Sequence, residues 1–234
     1  MKKRITVLTG AGISAESGIN TFRDAGGLWE GHDVMDVASP EGFARNPKLV
    51  LDFYNQRRRQ LPEVFPNKAH KALFKLEEFY DVTIVTQNVD DLHERAGSTN
   101  LIHIHGELLK ARSTKNENVI IPWSKDLNLG DYCEKGHQLR PHIVWFGEAV
   151  PLLQQAAIAT QNADIVIIIG TSMQVYPAAS LIDYAQSGVP IYFIDPQPNV
   201  SENNYDNLSI IAKTAVEGLP NLVTELTETA KRKS

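Results

Sequence analysis

Gly10-Ala11-Gly12-Ile13-Ser14-Ala15-Glu16-Ser17-Gly18-Ile19-Asn20-Thr21-Phe22-Arg23 follows an apolar, strand-like run from Ile5 to Thr9. A strand that stops at a small-residue turn and then opens a helix is an architecture for holding a pyrophosphate. Glycines let backbone N–H groups approach the phosphate oxygens, and a helix N-terminus places partial positive charge beside them. Gly10-x-Gly12-x-x-Ala15 satisfies the dinucleotide fingerprint, which alone is a weak signal. An acid at the end of a second strand, about twenty residues on, usually completes it. Here that stretch reads Gly26-Gly27-Leu28-Trp29-Glu30-Gly31-His32, a loop pattern. The segment predicts a nucleotide site, but not that of an ordinary dehydrogenase.

Further strand-like runs rich in β-branched residues lie at Arg4–Thr9, Val82–Thr86, Leu101–His105, Asp164–Gly170, Pro190–Asp195 and Leu208–Ile211. The run Ile165-Val166-Ile167-Ile168-Ile169 shows no alternation, as a central parallel strand covered on both faces requires. Helical patterns fall between them, at Asn67–Phe79, Val89–Ala96, Pro151–Gln161, Ala178–Ser187 and Glu217–Lys231. This alternation predicts an α/β protein with a Rossmann-like, doubly wound parallel sheet. Residues 26–66 hold helical segments and no good strand, and 106–145 hold short irregular apolar pieces. Both read as insertions forming a smaller domain over the sheet's carboxyl edge, where ligands of open α/β sheets bind. The predicted large domain is then 1–25, 67–105 and 146–234.

The 234 residues suffice for one large domain with a smaller inserted one, and 42% hydrophobic with 22% charged residues is ordinary soluble composition. A net charge of −5 gives no reason to expect nucleic acid. The apolar run behind Met1-Lys2-Lys3-Arg4 ends at Gly10, so no signal peptide is expected, and no run is long enough to cross a bilayer. The single cysteine, Cys133, excludes an internal disulfide framework and fits a cytoplasmic location.

Four more clusters follow strand ends and should meet at one rim. Thr86-Gln87-Asn88-Val89-Asp90 offers amides and a carboxylate for ribose hydroxyls or a carboxamide, although Asn88 or Asp90 could instead cap the next helix. In Ile102-His103-Ile104-His105-Gly106-Glu107 the two histidines share a strand face, which suggests a metal site or one base beside a packed neighbour. His105, before a glycine, is placed for general-base work, and an unperturbed imidazole titrates near 6.5. Pro141-His142-Ile143-Val144-Trp145-Phe146-Gly147-Glu148 could pair with an extended peptide while Val144, Trp145 and Phe146 wall an apolar tunnel; an edge of the core is the plainer alternative. Gly170-Thr171-Ser172 suits phosphate or adenosine, and Asp195, at the end of another strand, could accept both ribose hydroxyls.

Taken together, GAGIS…GI..FR, TQNVD.LH, HGE, VWFGE and GTS.-V-P, in that order over residues 4–220, resemble the sirtuin family of NAD-dependent protein deacylases. The resemblance implies a Rossmann-like large domain, a small domain, and NAD and acyl-lysine entering the cleft between them. It implies that Gly10, Ala11, Gly12, Ser14 and Glu16, with Trp29 at the end of the same segment, hold NAD, and that Phe22 and Arg23 lie near the nicotinamide side. It places Gln87, Asn88 and Asp90 at the nicotinamide and its ribose. Gly170, Thr171, Ser172, Asp195 and Ala215 would frame the adenosine half. His105 matches the general base and Asn88 its catalytic companion. The products implied are free lysine, nicotinamide and O-acyl-ADP-ribose.

Residues 47–61 read as a helix on which Tyr54 and Arg57, three apart, are neighbours. In the family Tyr-x-x-Arg marks members preferring succinyl- and malonyl-lysine, and Ala38 matches a small residue that widens their acyl pocket. A planar guanidinium can fork a distal carboxylate and a phenol can add a third bond. Sirtuins usually carry a Cys₄ zinc site between HGE and FGE, whereas this chain has Cys133 there, with Ser113, Asn116 and Gly136 at the other positions. The expectation is no zinc and an apolar mini-core of Val119, Ile120, Ile121, Pro122, Trp123, Leu127, Leu129 and Tyr132. Asn20 and Asp195 also depart from the family's common proline and asparagine. The partners implied are acyl-lysine proteins or peptides, with no nucleic acid or membrane, for a monomer. A strict deacetylase, a protein ADP-ribosyltransferase and an inactive NAD sensor are the alternatives.

Overall fold

A computed structural model describes residues 2–20, 28–29, 31–200, 205 and 207–233 of the chain. Phe22 and Arg23 lie outside the described residues. Along the chain, β1 (Arg4–Thr9) is followed by a two-residue pair, β2 (Leu28–Trp29) and β3 (His32–Asp33), and by three helices, α1 (Val34–Val37), α2 (Pro40–Arg45) and α3 (Pro47–Gln60). Next come α4 (Lys68–Leu76), β4 (Asp81–Thr86), α5 (Leu92–Ala96) and β5 (Leu101–His103). An antiparallel group follows: β6 (Gly106–Ser113), β7 (Ile120–Pro122) and β8 (Leu139–Ile143). The chain closes with α6 (Leu153–Gln161), β9 (Ile165–Ile169), β10 (Ile191–Ile194), β11 (Leu208–Ile211) and α7 (Ala215–Lys233). Among the described residues no helix is long and apolar enough to cross a membrane.

The main sheet is parallel throughout, in the order β11-β10-β9-β1-β4-β5. Its pleat sorts the core into two layers. Ile5, Val7, Ile165, Ile167 and Ile169 face one side and pack against α4 and α7 through Leu73, Leu76, Leu219 and Val223. Leu8, Val166 and Ile168 face the other and meet Ala156 and Ala157 of α6 and Leu181 and Ile182 of a 3-10 stretch at Ala178–Tyr184. All five residues of β9 are buried, which is why its sequence shows no alternation. Short polar side chains set the helix starts: Ser39 accepts Gly42 N–H, Asn46 accepts Leu49 N–H, and Asn67 opens α4 in a capping box with His70.

Two elements differ from the sequence reading. The segment after β1 does not open an α-helix. Ile13, Ser14, Ser17 and Gly18 each donate to the carbonyl three residues back, giving two 3-10 turns that end at Gly18 with φ +95°. The 106–145 stretch is a three-stranded antiparallel sheet, ordered β7-β6-β8, rather than irregular pieces.

That sheet carries its own apolar cluster. Leu51 of α3 packs with Ala111, Leu127, Cys133 and Leu139, and Phe43, Val119, Ile121 and Trp123 close over them. The expected mini-core is therefore right in part. Leu129 and Tyr132 are 56% and 61% exposed, because the turn at Asn128–Asp131 carries them outward. Leu127 is wholly buried, and its N–H is tied to Asn55 Oδ1 of α3. Leu127→Ala should therefore cost about 2–5 kcal/mol, with Trp123→Ala costing less; chemical denaturation measures both, and the reverse ranking would place the cluster's centre at the tryptophan.

Candidate active site

A cavity of about 610 Å³ runs along the carboxyl ends of β1, β4, β9 and β10 and under the loop after β8. This size suits a ligand larger than a metabolite fragment. At one wall the turn after β1 lies directly on the end of β9. Gly10 N–H donates to Ile169 O at 3.0 Å and Gly12 N–H to Gly170 O at 2.9 Å. A Cβ on Gly12 would sit 2.6 Å from Gly170 Cα. The two glycines thus serve backbone-to-backbone approach, and their N–H groups are taken up by the carbonyls of Ile169, the last residue of β9, and of Gly170 just beyond it. Ala11, Ser14 and Glu16 line it too, and Glu16 also accepts Val216 N–H at the start of α7.

Behind that turn lies a buried polar chain. Asn88 Nδ2 donates to Ser14 Oγ at 3.1 Å, and Ser14 Oγ donates to Asp90 Oδ2 at 3.0 Å. Asp90 Oδ1 accepts Leu92 N–H at the first residue of α5 and Asp90 lines the cavity, while the N-cap residue Asp91 makes no side-chain cap bond and neither does Asn88. Burial raises the Asp90 carboxyl to about 6 against the opposing pull of the Leu92 and Ser14 hydrogen bonds. Gln87 Nε2 donates to Thr171 Oγ1 at 3.1 Å, tying the ends of β4 and β9 together.

The two histidines of the His103-x-His105 pair each bond one of two consecutive carbonyls. His105 Nδ1 lies 3.2 Å from Gln87 O and His103 Nδ1 lies 3.3 Å from Asn88 O. β5 ends at His103, so His105 sits in the turn before β6 and borders the cavity. A carbonyl only accepts, so the His105 proton resides on Nδ1 and leaves Nε2 as a lone pair. Burial lowers the His105 pKa, the Gln87 carbonyl partly opposing, which favours that neutral form.

At the far end, Thr171, Ser172 and Asp195 line the cavity. Asp195 is 1% exposed, with Oδ1 accepting Gln197 N–H at 2.9 Å. Ala215 does not line it. Its side chain packs in the core beneath the sheet, and the neighbouring Thr214 takes the place at the wall.

The opposite wall is apolar. Ala38, Trp29, Tyr54, Val144, Trp145 and Phe146 line it. Val144 N–H donates to His105 O and Phe146 N–H to Ala38 O, both at 2.9 Å, so this loop is hung between β6 and α1. Trp145 Nε1–H donates to Tyr54 Oη at 3.0 Å inside the wall. Burial pushes the Tyr54 phenol far up, so it stays a neutral hydroxyl. Behind Trp145, the Arg140 guanidinium lies 3.3 Å from the ring centroid, and Arg140 and Arg112 both bind Glu148. Glu148 also accepts Trp145 N–H at 2.8 Å. Burial alone would raise the Glu148 carboxyl, but the Arg140 bond and charge hold it below its usual range. Arg112 and Arg140 were not singled out from sequence, and Glu148 only as the last residue of the VWFGE motif, although charges framing so apolar a stretch as Arg140–Glu148 were the available signal.

Arg57 stands elsewhere than expected. It is buried, donates to Phe53 O at 2.6 Å, and lies 3.2 Å from the Phe53 and 4.9 Å from the Trp29 ring centroid. It packs behind the cavity wall and does not line it, while Tyr54 does. Cys133 is buried, its Sγ 3.7 Å from Ser113 Oγ, and among the described residues no group of three or more His, Cys, Asp and Glu ligand atoms includes it.

Three further histidines set an acid limit on stability. Burial lowers His70 and His142 to about 4, and His93 well below its ordinary value. Below about 6.5 the unfolded chain binds protons that the folded chain refuses. Stability should therefore fall as pH drops from that value towards 4, with Asp90 opposing between about 6 and its ordinary carboxylate value. Melting temperature followed from pH 7 to pH 4 tests this, and a flat profile would overturn it.

The Sir2 family profile matches residues 10–177. Proteins named NAD-dependent protein deacylase from Helicobacter pylori strain 26695 and from Bacteroides thetaiotaomicron are 59% and 50% identical to this chain. The first alignment covers 97% of this chain and 99% of its relative, the second 94% and 96%. Among solved structures, a Sir2 homologue in complex with NAD superposes with a TM-score of 0.87 at 39% identity, covering 98% of this chain and 91% of its own. A Sir2 complex with a deacetylated p53 peptide and 3′-O-acetyl ADP-ribose superposes with a TM-score of 0.78 at 29% identity, covering 96% and 94%.

Proposed function

We propose, for a chain that belongs to the Sir2 family and is an NAD-dependent protein deacylase, that it removes succinyl and malonyl groups from lysine, and acetyl groups as well. The observation that carries the acyl preference is the wall of the cavity. Tyr54 presents a neutral hydroxyl there, Ala38 leaves room beside it, and the Arg57 guanidinium stacks one ring behind on Trp29. A carboxylate arriving at Tyr54 would draw Arg57 forward by rotation about its flexible side-chain bonds, a small cost against a charge-assisted bond. One feature, the position of Arg57 behind the wall, favours a second reading, a strict deacetylase.

The residues present fit NAD. Ser14, Asn88 and Asp90 form a buried polar set at the cavity, and Gln87, Thr171, Ser172 and Asp195 add polar groups along it. In this reading Gly10, Ala11, Gly12, Ser14 and Glu16 hold the pyrophosphate side, Phe22 and Arg23 stand on the nicotinamide side, and Trp29 belongs to the same cofactor-binding segment. Gln87, Asn88 and Asp90 orient the carboxamide and its ribose, and Gly170, Thr171, Ser172 and Asp195, with Thr214 in place of Ala215, take the adenosine half. When bound, NAD supplies the ribose carbon that accepts the acyl oxygen and the nicotinamide that leaves. His105 Nε2 is the atom that takes up a proton from the reacting hydroxyl. Val144, Trp145, Phe146 and Tyr54 exclude water from the reacting centre and align the acyl-lysine.

The large domain is read as 1–25, 67–105 and 146–234, and the small one as 26–66 and 106–145, because the parallel strands fall in the first set and the antiparallel sheet with α1–α3 in the second. Zinc does not fit the small domain, since one thiol beside a hydroxyl is far from a tetrahedral N/S set. A monomeric, cytoplasmic protein acting on acyl-lysine proteins completes the reading.

Matched acetyl-, succinyl- and malonyl-lysine peptides incubated with NAD, each product followed by mass, provide the test. Arg57→Met should lower kcat/KM for the succinyl peptide by roughly tenfold or more and affect the acetyl peptide far less. Equal losses on both, or acetyl removal alone by the wild type, would establish the strict deacetylase.

A further inference from the structure

His103 is 8% exposed, and both ring nitrogens face groups that only accept hydrogen bonds. Nε2 is 2.7 Å from Glu94 Oε1 and Nδ1 is 3.3 Å from Asn88 O. A neutral imidazole has one N–H, so in either tautomer a lone pair would confront one of these oxygens. Only the doubly protonated ring satisfies both. The geometry points to His103 as a positioning residue: a buried imidazolium, anchored by Glu94, that holds the Asn88 backbone and so keeps the Asn88 side chain aimed at the reacting end of the cavity. This rests on the reading of Asn88 given above.

The two histidines then divide the work. Consecutive carbonyls, Gln87 O and Asn88 O, are gripped from the end of β5 and the turn that follows it. His105 meets one acceptor and needs one proton, which frees its other nitrogen. His103 meets two and needs both. The surroundings agree. Glu94 and His93 face His103 from α5 and Glu107 from β6, where Lys110 pairs with Glu107 and acts on Glu94; His142 lies across from Glu107 on β8, and Asp90 is in the preceding loop. Burial works against the His103 charge, but the Glu94 hydrogen bond and charge, the Glu107 charge and the Asn88 carbonyl together raise its pKa.

Glu94, His103 and Glu107 place ligand-type atoms within 4.8 Å of one another. Lys110 Nζ, 2.6 Å from Glu107 Oε2, and the proton on His103 Nε2 already supply the positive charge there. A raised folded pKa means that the clamp is complete at low pH and is lost as pH rises through that value. Turnover should then show an alkaline limb set by His103.

Histidine-selective ¹⁵N NMR on the intact wild type reads both ring nitrogens directly. One buried ring protonated on both nitrogens at pH 7, titrating above 6.5 and moving down in Glu94→Gln, is expected. In parallel, Glu94→Gln should shift the alkaline limb of acyl-lysine turnover to lower pH. At pH 8 its kcat should fall roughly tenfold, with KM for the acyl peptide little changed and Glu94→Asp restoring most of the rate. A neutral His103 at pH 7 overturns the proposal, as does an unmoved alkaline limb once Glu94→Gln has neutralised the ring. If the wild type turned over no acyl peptide, the deacylase reading would fail on its own. The NMR would still decide the charge on His103, and NAD affinity of wild type against Glu94→Gln at pH 8 its hold on Asn88: weaker binding supports the clamp, and equal binding overturns it.

Discussion

Deacylation by His105→Ala is expected to fall by at least about a hundredfold, with NAD still bound. The His105 side chain makes one hydrogen bond, to Gln87 O, and borders the cavity, while its backbone carbonyl, which holds Val144 N–H, survives the substitution, so the change removes a proton acceptor and leaves the loop's anchor in place. Its pH behaviour distinguishes a base from a mere wall residue. Burial depresses its pKa, so the neutral, proton-accepting form persists below the ordinary histidine range. The acid limb of kcat/KM should therefore lie below about 6.5, and a limb at or above that value would remove His105 from the role. Isothermal titration of NAD into the variant separates lost chemistry from lost binding.

Gly106→Ala should be the most damaging of single-methyl additions near the site. Gly106 has φ +86°, a region that an L side chain rarely adopts, and a Cβ there would lie 2.1 Å from His142 O of β8. Gly106 pairs with Ile143 across β6 and β8, so relief requires parting the strands where Val144 N–H reaches His105 O. A loss on the order of 3 kcal/mol or more follows, which for a chain of this size lowers the melting temperature by roughly 6–12 °C. Thermal unfolding measures it. A stable variant with normal activity would mean that β8 can retreat without disturbing either the histidine or the apolar wall.

Much of this was legible in the sequence, for reasons that can be named. The unbroken Ile165–Ile169 run could only be a strand covered on both sides, and it lies at the centre of the sheet. In a parallel sheet every strand's carboxyl end faces the same way, so Gly10, Gln87, His105, Gly170 and Asp195, scattered along the chain, gather at one cavity. Less was legible where the deciding contact is distant. The small residues after β1 suit a helix start, but packing against Gly170 and the left-handed Gly18 hold them in 3-10 turns. β6 was hidden because Lys110 and Arg112 interrupt its apolar pattern, their charges answered by Glu107 and by Glu148 thirty-six residues away. Spacing on α3 correctly made Tyr54 and Arg57 neighbours, yet it cannot say towards which ring a long side chain turns. Ala215 was one residue out because the wall is met by the loop end of α7 rather than its first turn.

The lattice of Arg112, Glu148 and Arg140 behind Trp145 has a consequence for how substrate arrives. Both arginines are nearly buried, Glu148 bonds both of them and the Trp145 backbone, and the indole is fixed on its other side by Tyr54. The cavity wall is therefore cast before any ligand enters it, and little ordering entropy remains to be lost there on association. On the proposed reading, capture of acyl-lysine at this wall then resembles a key entering a rigid keyway, with discrimination among acyl chains expressed in how long each one stays.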